Sequence, residues 1–574
     1  MSDTTTNQGS VGQKGSVVTS SVVTSTQSRS EALYEVTWHY LQSISLQNPP
    51  SPAVIQNDLL SLIDGHIDLV NSIKPKGKKW KSVDGLEPFQ IAMIVAHLYD
   101  VVAIASAGLT SESDYDLIGV YQVSGPKRGI YLTEDRALRI LCRELNRSLT
   151  TRQLDEIKAV LRDSVKRVVP TRQKNLVAVN NGIFDYDTKQ LLDFSPDYIF
   201  TTKSSVNYNP KATNIVIHND NDNTDWDVES WMKELTDDAE VVQVLWEMIG
   251  AVIRPNVPWN ISAWLFSEKG NNGKGTYCEL VRALIGEGNY ASISLSDFAK
   301  EFMLEPLTHS SAIIVDENDV GTYIDKAANL KAVITGDTIQ INRKFKQPIA
   351  YRFKGFMIQC LNEMPRIKDK SDSFFRRQLF IPFEKCFTGQ ERKYIKTEYL
   401  HQPEVLEYVL HKVLHMNYYH LTVPTSCQMA QAEYKEYNDP VRQFMAEMMS
   451  EFVWDLLPFS FLHDLYVAWY KRNYSSERPQ SAASLAKDIL NLLPEYPEWE
   501  CKGKDIKVRV GNMMDQPEYL IDEYHLDQWL NPRYKNSQDR SRACIPATAA
   551  SYRGIMRKNG KVVQQNMDAT PDGK

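Results

Sequence analysis

Cysteine is scarce and scattered. The seven thiols (Cys142, Cys278, Cys360, Cys386, Cys427, Cys501 and Cys544) form no C-x-x-C pair and no Cys/His group at metal-ligand spacing. That excludes a zinc ribbon and argues for reduced thiols rather than a disulfide framework. Long apolar runs are missing too. No stretch is long enough to span a bilayer and no basic-then-apolar leader opens the sequence, so the chain reads as cytoplasmic, without a membrane partner. Nor is there an excess of positive charge: 65 Lys and Arg stand against 72 Asp and Glu, for a net charge of −7. Any contact with nucleic acid must therefore come from local basic features. What remains is the composition of an ordinary water-soluble protein, 42% hydrophobic and 24% charged, over 574 residues. That length suffices for several domains with their own cores.

The chain is organised around WLFSEKGNNGKGT, residues 264–276, followed by YCELVRALI, residues 277–285. An apolar run with strand character meets a Gly/Asn loop that opens into a segment of helical spacing. This is the setting of a phosphate-binding loop. Gly270, Asn271, Asn272 and Gly273 turn the backbone so that its N–H groups face phosphate oxygens, and Lys274 supplies charge to the β- and γ-phosphates. Glu268 replaces the usual first glycine, and Gly275 occupies the place of the Mg²⁺-binding hydroxyl, leaving Thr276 as the available one. The bland alternative is a Gly-rich turn between a strand and a helix.

Further elements follow at the distances an ATPase needs. Residues 312–319, AIIVDEND, form an apolar strand ending in Asp316, expected to hold Mg²⁺, and Glu317, expected to activate water. Residues 355–362 form a strand ending in Asn362, placed for the γ-phosphate or the lytic water. Arg376 and Arg377 precede another strand; either could reach a phosphate held by a neighbouring subunit, or pair internally with the acidic 369–372 segment. Between them, residues 338–353 alternate as a hairpin whose tip carries Arg343, Lys344 and Lys346 around Phe345, able to grip a nucleic-acid backbone and stack on a base.

Elsewhere the signals are weaker. The pairs Asp114/Asp116 and Asp185/Asp187 invite a two-metal reading, but no histidine partner follows and the second pair sits in a turn signal. The basic run 74–81 reads equally as a phosphate patch or a solvated loop. Residues 461–473 and 481–490 read as two helices, and 499–510 as a two-strand wing with Lys502, Lys504, Lys507 and Arg509. That order suits a winged-helix DNA-binding module.

Taken in order, GNNGKGT, VDE, TGD…NRK, LNEMP and FRR…IPF resemble the superfamily 3 helicases, a branch of the AAA+ ATPases. Within that branch the resemblance is to phage and plasmid primase-helicases, a group that includes the poxvirus primase-helicase. The segment 180–210 is similar to the stretch that precedes the ATPase in the same proteins, and the layout is similar to replication initiators of staphylococcal pathogenicity islands. The resemblance implies a multidomain α/β chain. With the patterns read along the rest of the chain, the parts are a disordered tail (1–30), an N-terminal α+β domain (31–216), a linker (217–230), an AAA+ core with a parallel sheet (231–390), a helical lid (391–452), a winged-helix domain (453–530) and a basic flexible tail (531–574). The resemblance further implies a hexameric, ATP- and Mg²⁺-dependent DNA helicase that initiates replication of a phage or mobile genetic element in a bacterial host cell, with primase or host replication proteins as further partners. The alternatives are an AAA+ DNA-binding switch or helicase loader that does not unwind, or the helicase part of a primase-helicase. A complete primase-helicase is disfavoured by the short N-terminal part.

Overall fold

The computed structural model describes residues 27–344, 346–389, 391–473 and 479–558. Most of the expected N-terminal tail and the end of the basic tail lie outside these residues, as does Phe345 at the hairpin tip. Residues 27–30 are already ordered: Ser28 caps the helix Arg29–Ser43 in a reciprocal capping box with Glu31.

The N-terminal part packs the helices Arg29–Ser43, Pro52–Ile73 and Pro88–Leu98 with Asp135–Leu145 and Thr151–Ser164. Their shared core includes Leu59, Ile63, Ile91 and Leu161. Each such side chain stabilises the fold by roughly 1.5–3 kcal/mol. A four-stranded sheet lies alongside, in the order Tyr131–Leu132, Leu117–Tyr121, Val101–Ile104, Arg167–Val168. The Asp116 carboxylate is held by Arg167, and Asp185 accepts hydrogen bonds from Asn175 and from the amide of Asp187, so one carboxylate of each acidic pair serves the scaffold.

The expected linker at 217–230 is instead folded structure. Ile217–Asn219 and Thr224–Trp226 pair as an antiparallel hairpin, and the helix Val228–Glu234 follows. Trp226 and Val228 are buried in the main core, which an acidic spacer could not provide.

The centre is a five-stranded sheet in the order Tyr290–Ala291, Ala312–Val315, Phe356–Leu361, Ser262–Phe266, Gln378–Pro382, parallel throughout. Both faces are covered, so its strands read as continuous apolar runs rather than alternating ones. Helices Ala239–Ile253, Lys274–Ile285 and Pro403–His415 share one hydrophobic cluster on one face. Tyr434, from helix Thr425–Asn438, belongs to the cluster on the other.

The expected lid is therefore divided. Its last helix, Pro440–Met448, belongs to the C-terminal core, where Val441 and Phe444 pack with Tyr466, Trp469 and Trp529. The expected wing is corrected as well. Trp499–Glu500 and Val508–Arg509 do not pair with each other. The first pairs with Gly554–Arg557 and the second with Ser551–Tyr552, both from the stretch expected to be a flexible tail. Leu456–Pro458 completes a three-stranded sheet with these residues, and Ile555 is fully buried. No described helix is long and apolar enough to cross a membrane.

Candidate functional site

The parallel sheet brings the loop, the acidic strand and the Asn362 strand to one edge, because all three strands run in the same direction. The loop is shaped by its own side chains. Asn272 donates to the Lys269 carbonyl and accepts from the Lys274 amide at 3.3 Å. Gly273 has φ 88°, and a Cβ there would lie 2.6 Å from Leu235, so both conformation and space require glycine. The helix Lys274–Ile285 starts at the next residue and directs its free amides at the loop.

Lys274 turns inward, with only 5% of its surface exposed. Its Nζ donates to Asn362 Oδ1 at 3.2 Å and reaches the Ser267 carbonyl at 3.5 Å. Asn362 in turn donates toward Glu317 Oε1 at 3.5 Å. A loop cation, a polar side chain and a carboxylate from three successive elements thus form one chain. Burial holds the Lys274 pKa below the ordinary lysine value, with Cys360, Cys278 and Glu317 opposing it.

Asp316, the second expected carboxylate, is held otherwise. Both of its oxygens accept from the Arg282 guanidinium, at 2.7 Å each. Arg282, on the loop's own helix, was not anticipated from the sequence, yet Lys274, Cys278 and Arg282 recur every fourth residue and share a helix face. Along the same face the buried Cys278 and Cys360 thiols meet at 3.4 Å, beside Asp316. Thr276 is half-buried and makes no side-chain hydrogen bond among the described residues.

A cavity of about 500 Å³ opens over the loop. Its floor is Asn271 to Gly273, Gly275 and Thr276, and its walls include Trp231, Leu235, Phe387 and Ile395. Lys393 and Lys396 line it too, and the Lys396 Nζ lies 3.7 Å from where a Gly275 side chain would begin. Asn271 fastens the loop to the covering segment through Thr388 at 3.3 Å, Glu391 at 3.1 Å and the Phe387 amide at 2.8 Å. These covering residues carry no motif in the sequence. An apolar slot beside clustered N–H groups and lysines fits a nucleotide in size and chemistry.

Other expected residues lie apart from this edge. Arg376 and Arg377 sit at the opposite end of the sheet, where the Arg377 carbonyl accepts from the Ser262 amide. Arg377 folds back onto the Ser373 carbonyl; Arg376 is exposed and makes no ion pair among the described residues. Asp369 and Asp372 pair instead with Lys331 and Lys435. The hairpin Thr338–Arg343/Lys346–Arg352 leans on the N-terminal part, with Lys346 bonded to Asp135 at 2.9 Å and Arg343 turned onto the Gln347 carbonyl. Lys344 is exposed. Lys502, Lys504, Lys507 and Arg509 are all exposed, without ion pairs among the described residues.

Three family models match this chain. The model described as D5 N terminal like covers residues 72–237, that described as Family of unknown function (DUF5906) covers 265–377, and that described as Poxvirus D5 protein-like covers 436–531. "Putative helicase L207/L206" of Acanthamoeba polyphaga mimivirus is 25% identical over 226 residues, covering 36% of this chain and 22% of that protein. The chain thus spans about a fifth of the curated relative it matches. Among solved structures, the apo NrS-1 C terminal region (305–718) gives a TM-score of 0.41 at 14% identity, over 82% of this chain and all of that one. A JCV Helicase structure gives 0.24 at 14% identity, over 36% of this chain and 58% of the other. The D5-like segments on both sides of the core, together with the mimivirus match, support a family of the primase-helicase type.

Proposed function

We propose that this chain is an ATP-driven DNA helicase of the superfamily 3 type that acts in replication initiation. The observation that carries the reading is the Lys274–Asn362–Glu317 chain at one edge of a parallel sheet, joined at Lys274 to a loop whose Asn271 to Gly273, Gly275 and Thr276 line a cavity of about 500 Å³. Numbered along the core, the strand order is 2-3-4-1-5. That order sets the loop strand between the Asn362 strand and the Arg377 strand, which supports the AAA+ reading of the core. The D5-like segments support the helicase class.

In this reading Lys274 and the loop amides hold the β- and γ-phosphates, with Lys396 adding charge from the cover. Glu317 takes the proton of the attacking water, and Asn362 orients both. Thr276 and Asp316 would hold Mg²⁺, which supplies charge neutralisation across the phosphates. Asp316 can serve only by sharing its carboxylate with Arg282. Arg376, exposed at the far end of the sheet, reaches a phosphate only across a subunit interface, so the reading needs a ring, with a hexamer as the expected form. The Arg343, Lys344 and Lys346 tips move DNA through the channel. The exposed Lys502, Lys504, Lys507 and Arg509 surface meets duplex phosphates.

A second reading, an ATPase switch or loader that does not unwind, is favoured by one observation: the hairpin is tied to the N-terminal part through Lys346 and Asp135. Unwinding of a forked duplex, with ATP turnover followed in parallel, decides between them. The helicase reading expects Lys274→Ala to lose both activities and Lys344→Ala/Lys346→Ala to keep turnover but lose unwinding. ATP turnover by the wild type without strand separation on any fork would transfer the assignment to the switch.

A further inference from the structure

A second cavity, of about 290 Å³, lies at the other end of the sheet, between the N-terminal part and the core. Ser310, Ser311 and Lys354 line it just before the strands Ala312–Val315 and Phe356–Leu361 begin, whereas the Lys274 loop follows the far end of its strand. The two cavities share no lining residue.

Its charge is one-sided. Arg172 from the N-terminal part and Arg352 and Lys354 from the core line it, and no carboxylate does. None of the three makes an ion pair among the described residues; Arg352 donates only to Thr338 Oγ1, at 2.8 Å. The hydroxyls of Ser106, Thr201 and Thr202 also line the cavity and have no internal partner among the described residues. Burial, followed by the nearness of Arg172 and Arg352, holds the Lys354 pKa below the ordinary lysine value. Folding has gathered like charges at a cost that an anion would relieve. Trp259 and Tyr351 add flat apolar walls.

We propose that this cavity binds a nucleoside phosphate, its phosphate on Arg172, Arg352 and Lys354 and its base against Trp259 or Tyr351. The volume lies at the small end of ligand sites, about 300 Å³ and upward, and suits a single nucleotide. Guanidinium forks and free hydroxyls suit phosphate oxygens. A free mononucleotide and the 5′-terminal nucleotide of a strand offer the same chemistry.

Calorimetric titration of the full chain carrying Lys274→Ala, which disables the loop site, tests the proposal. The probes are dAMP, inorganic phosphate, and an oligonucleotide with and without a 5′-phosphate. The expected result is binding of dAMP, or of the phosphorylated oligonucleotide over its unphosphorylated form, weakened at least tenfold by Arg172→Gln/Arg352→Gln/Lys354→Gln. Arg172→Gln alone, at an exposed position, gives the same direction at several-fold should the triple change impair folding. Binding of dAMP identifies a free nucleotide as the ligand; preference for the phosphorylated strand alone identifies a strand end. The proposal is overturned if the charge variants bind as tightly as their parent. It is also overturned if neither probe binds at millimolar concentration, or if inorganic phosphate binds as well as dAMP.

Discussion

The Lys274 ammonium donates to Asn362 Oδ1 at 3.2 Å, joining the loop to the strand beside it. The bond fixes a long, flexible side chain inside a buried site, where an unpaired ammonium would be costly. If the loop site hydrolyses ATP as proposed, Asn362→Ala should lower turnover by about 10²-fold, the usual loss for a single oriented polar group, with nucleotide affinity changed only a few-fold. Lys274→Ala should weaken both. Steady-state turnover beside fluorescent-nucleotide binding separates the two, and equal loss of affinity in both variants would contradict the division of labour.

Local patterns made this edge of the molecule readable. The loop, the strand ending in Asp316 and Glu317 and the strand ending in Asn362 each fit within a dozen residues. What escaped depends on distant pairing. Residues 499–500 and 508–509 are two-residue strands whose partners lie near 551–557, too short to carry an alternation and too far apart to suggest a hairpin. The hairpin at 217–226 is hidden by its Asp/Asn-rich turn, with the cross-strand pair Ile217 and Trp226 anchoring it to the core. Arg282 was visible in principle, four residues beyond Cys278 on one helix face, but only the fold reveals Asp316 opposite.

Arg282 competes for the carboxylate expected to serve Mg²⁺. Burial, the largest single influence, lowers the arginine's pKa, but the hydrogen bonds and charge of Asp316, with Cys278 and Tyr290, together more than reverse this. Arg282→Gln removes a unit positive charge 2.7 Å from Asp316. The apparent Mg²⁺ affinity in ATP turnover should then rise about three- to tenfold, as expected for a partly screened charge. An unchanged Mg²⁺ titration would mean that Asp316 does not serve the metal.

Glu518 makes the C-terminal part pH-sensitive. Its carboxylate accepts from the Val453 amide at 2.9 Å, and burial pushes its pKa up to about 7, against these backbone hydrogen bonds. The folded state therefore keeps a proton that the unfolded chain releases near pH 4.5. This contribution to stability is complete below pH 4.5 and is lost as pH rises through about 7. The rise corresponds to about 3 kcal/mol. Glu518→Gln, which keeps an acceptor for the amide, should flatten the fall in Tm between pH 5 and pH 8 relative to the wild type. Parallel pH profiles of the two proteins would rule this out.

The hairpin's contact with the N-terminal part sets the last expectation. Lys346 reaches Asp135 at 2.9 Å, and Lys158 shares the same carboxylate at 3.2 Å. Asp135 is about a third exposed and Lys346 more so, so the pair is worth at most about 1 kcal/mol of stability. Asp135→Asn should leave Tm nearly unchanged while freeing a cation at the hairpin tip. If that tip grips a nucleic-acid backbone, single-strand affinity should rise about threefold, and the dependence of binding on salt should steepen by about one phosphate contact. Lys344→Ala, which removes the exposed charge, should move both quantities the other way. Filter-binding titrations across a salt series measure them together. Identical salt slopes in the wild type, Asp135→Asn and Lys344→Ala proteins would remove the hairpin from the DNA path and leave Lys346 as a bridge between the two parts of the fold.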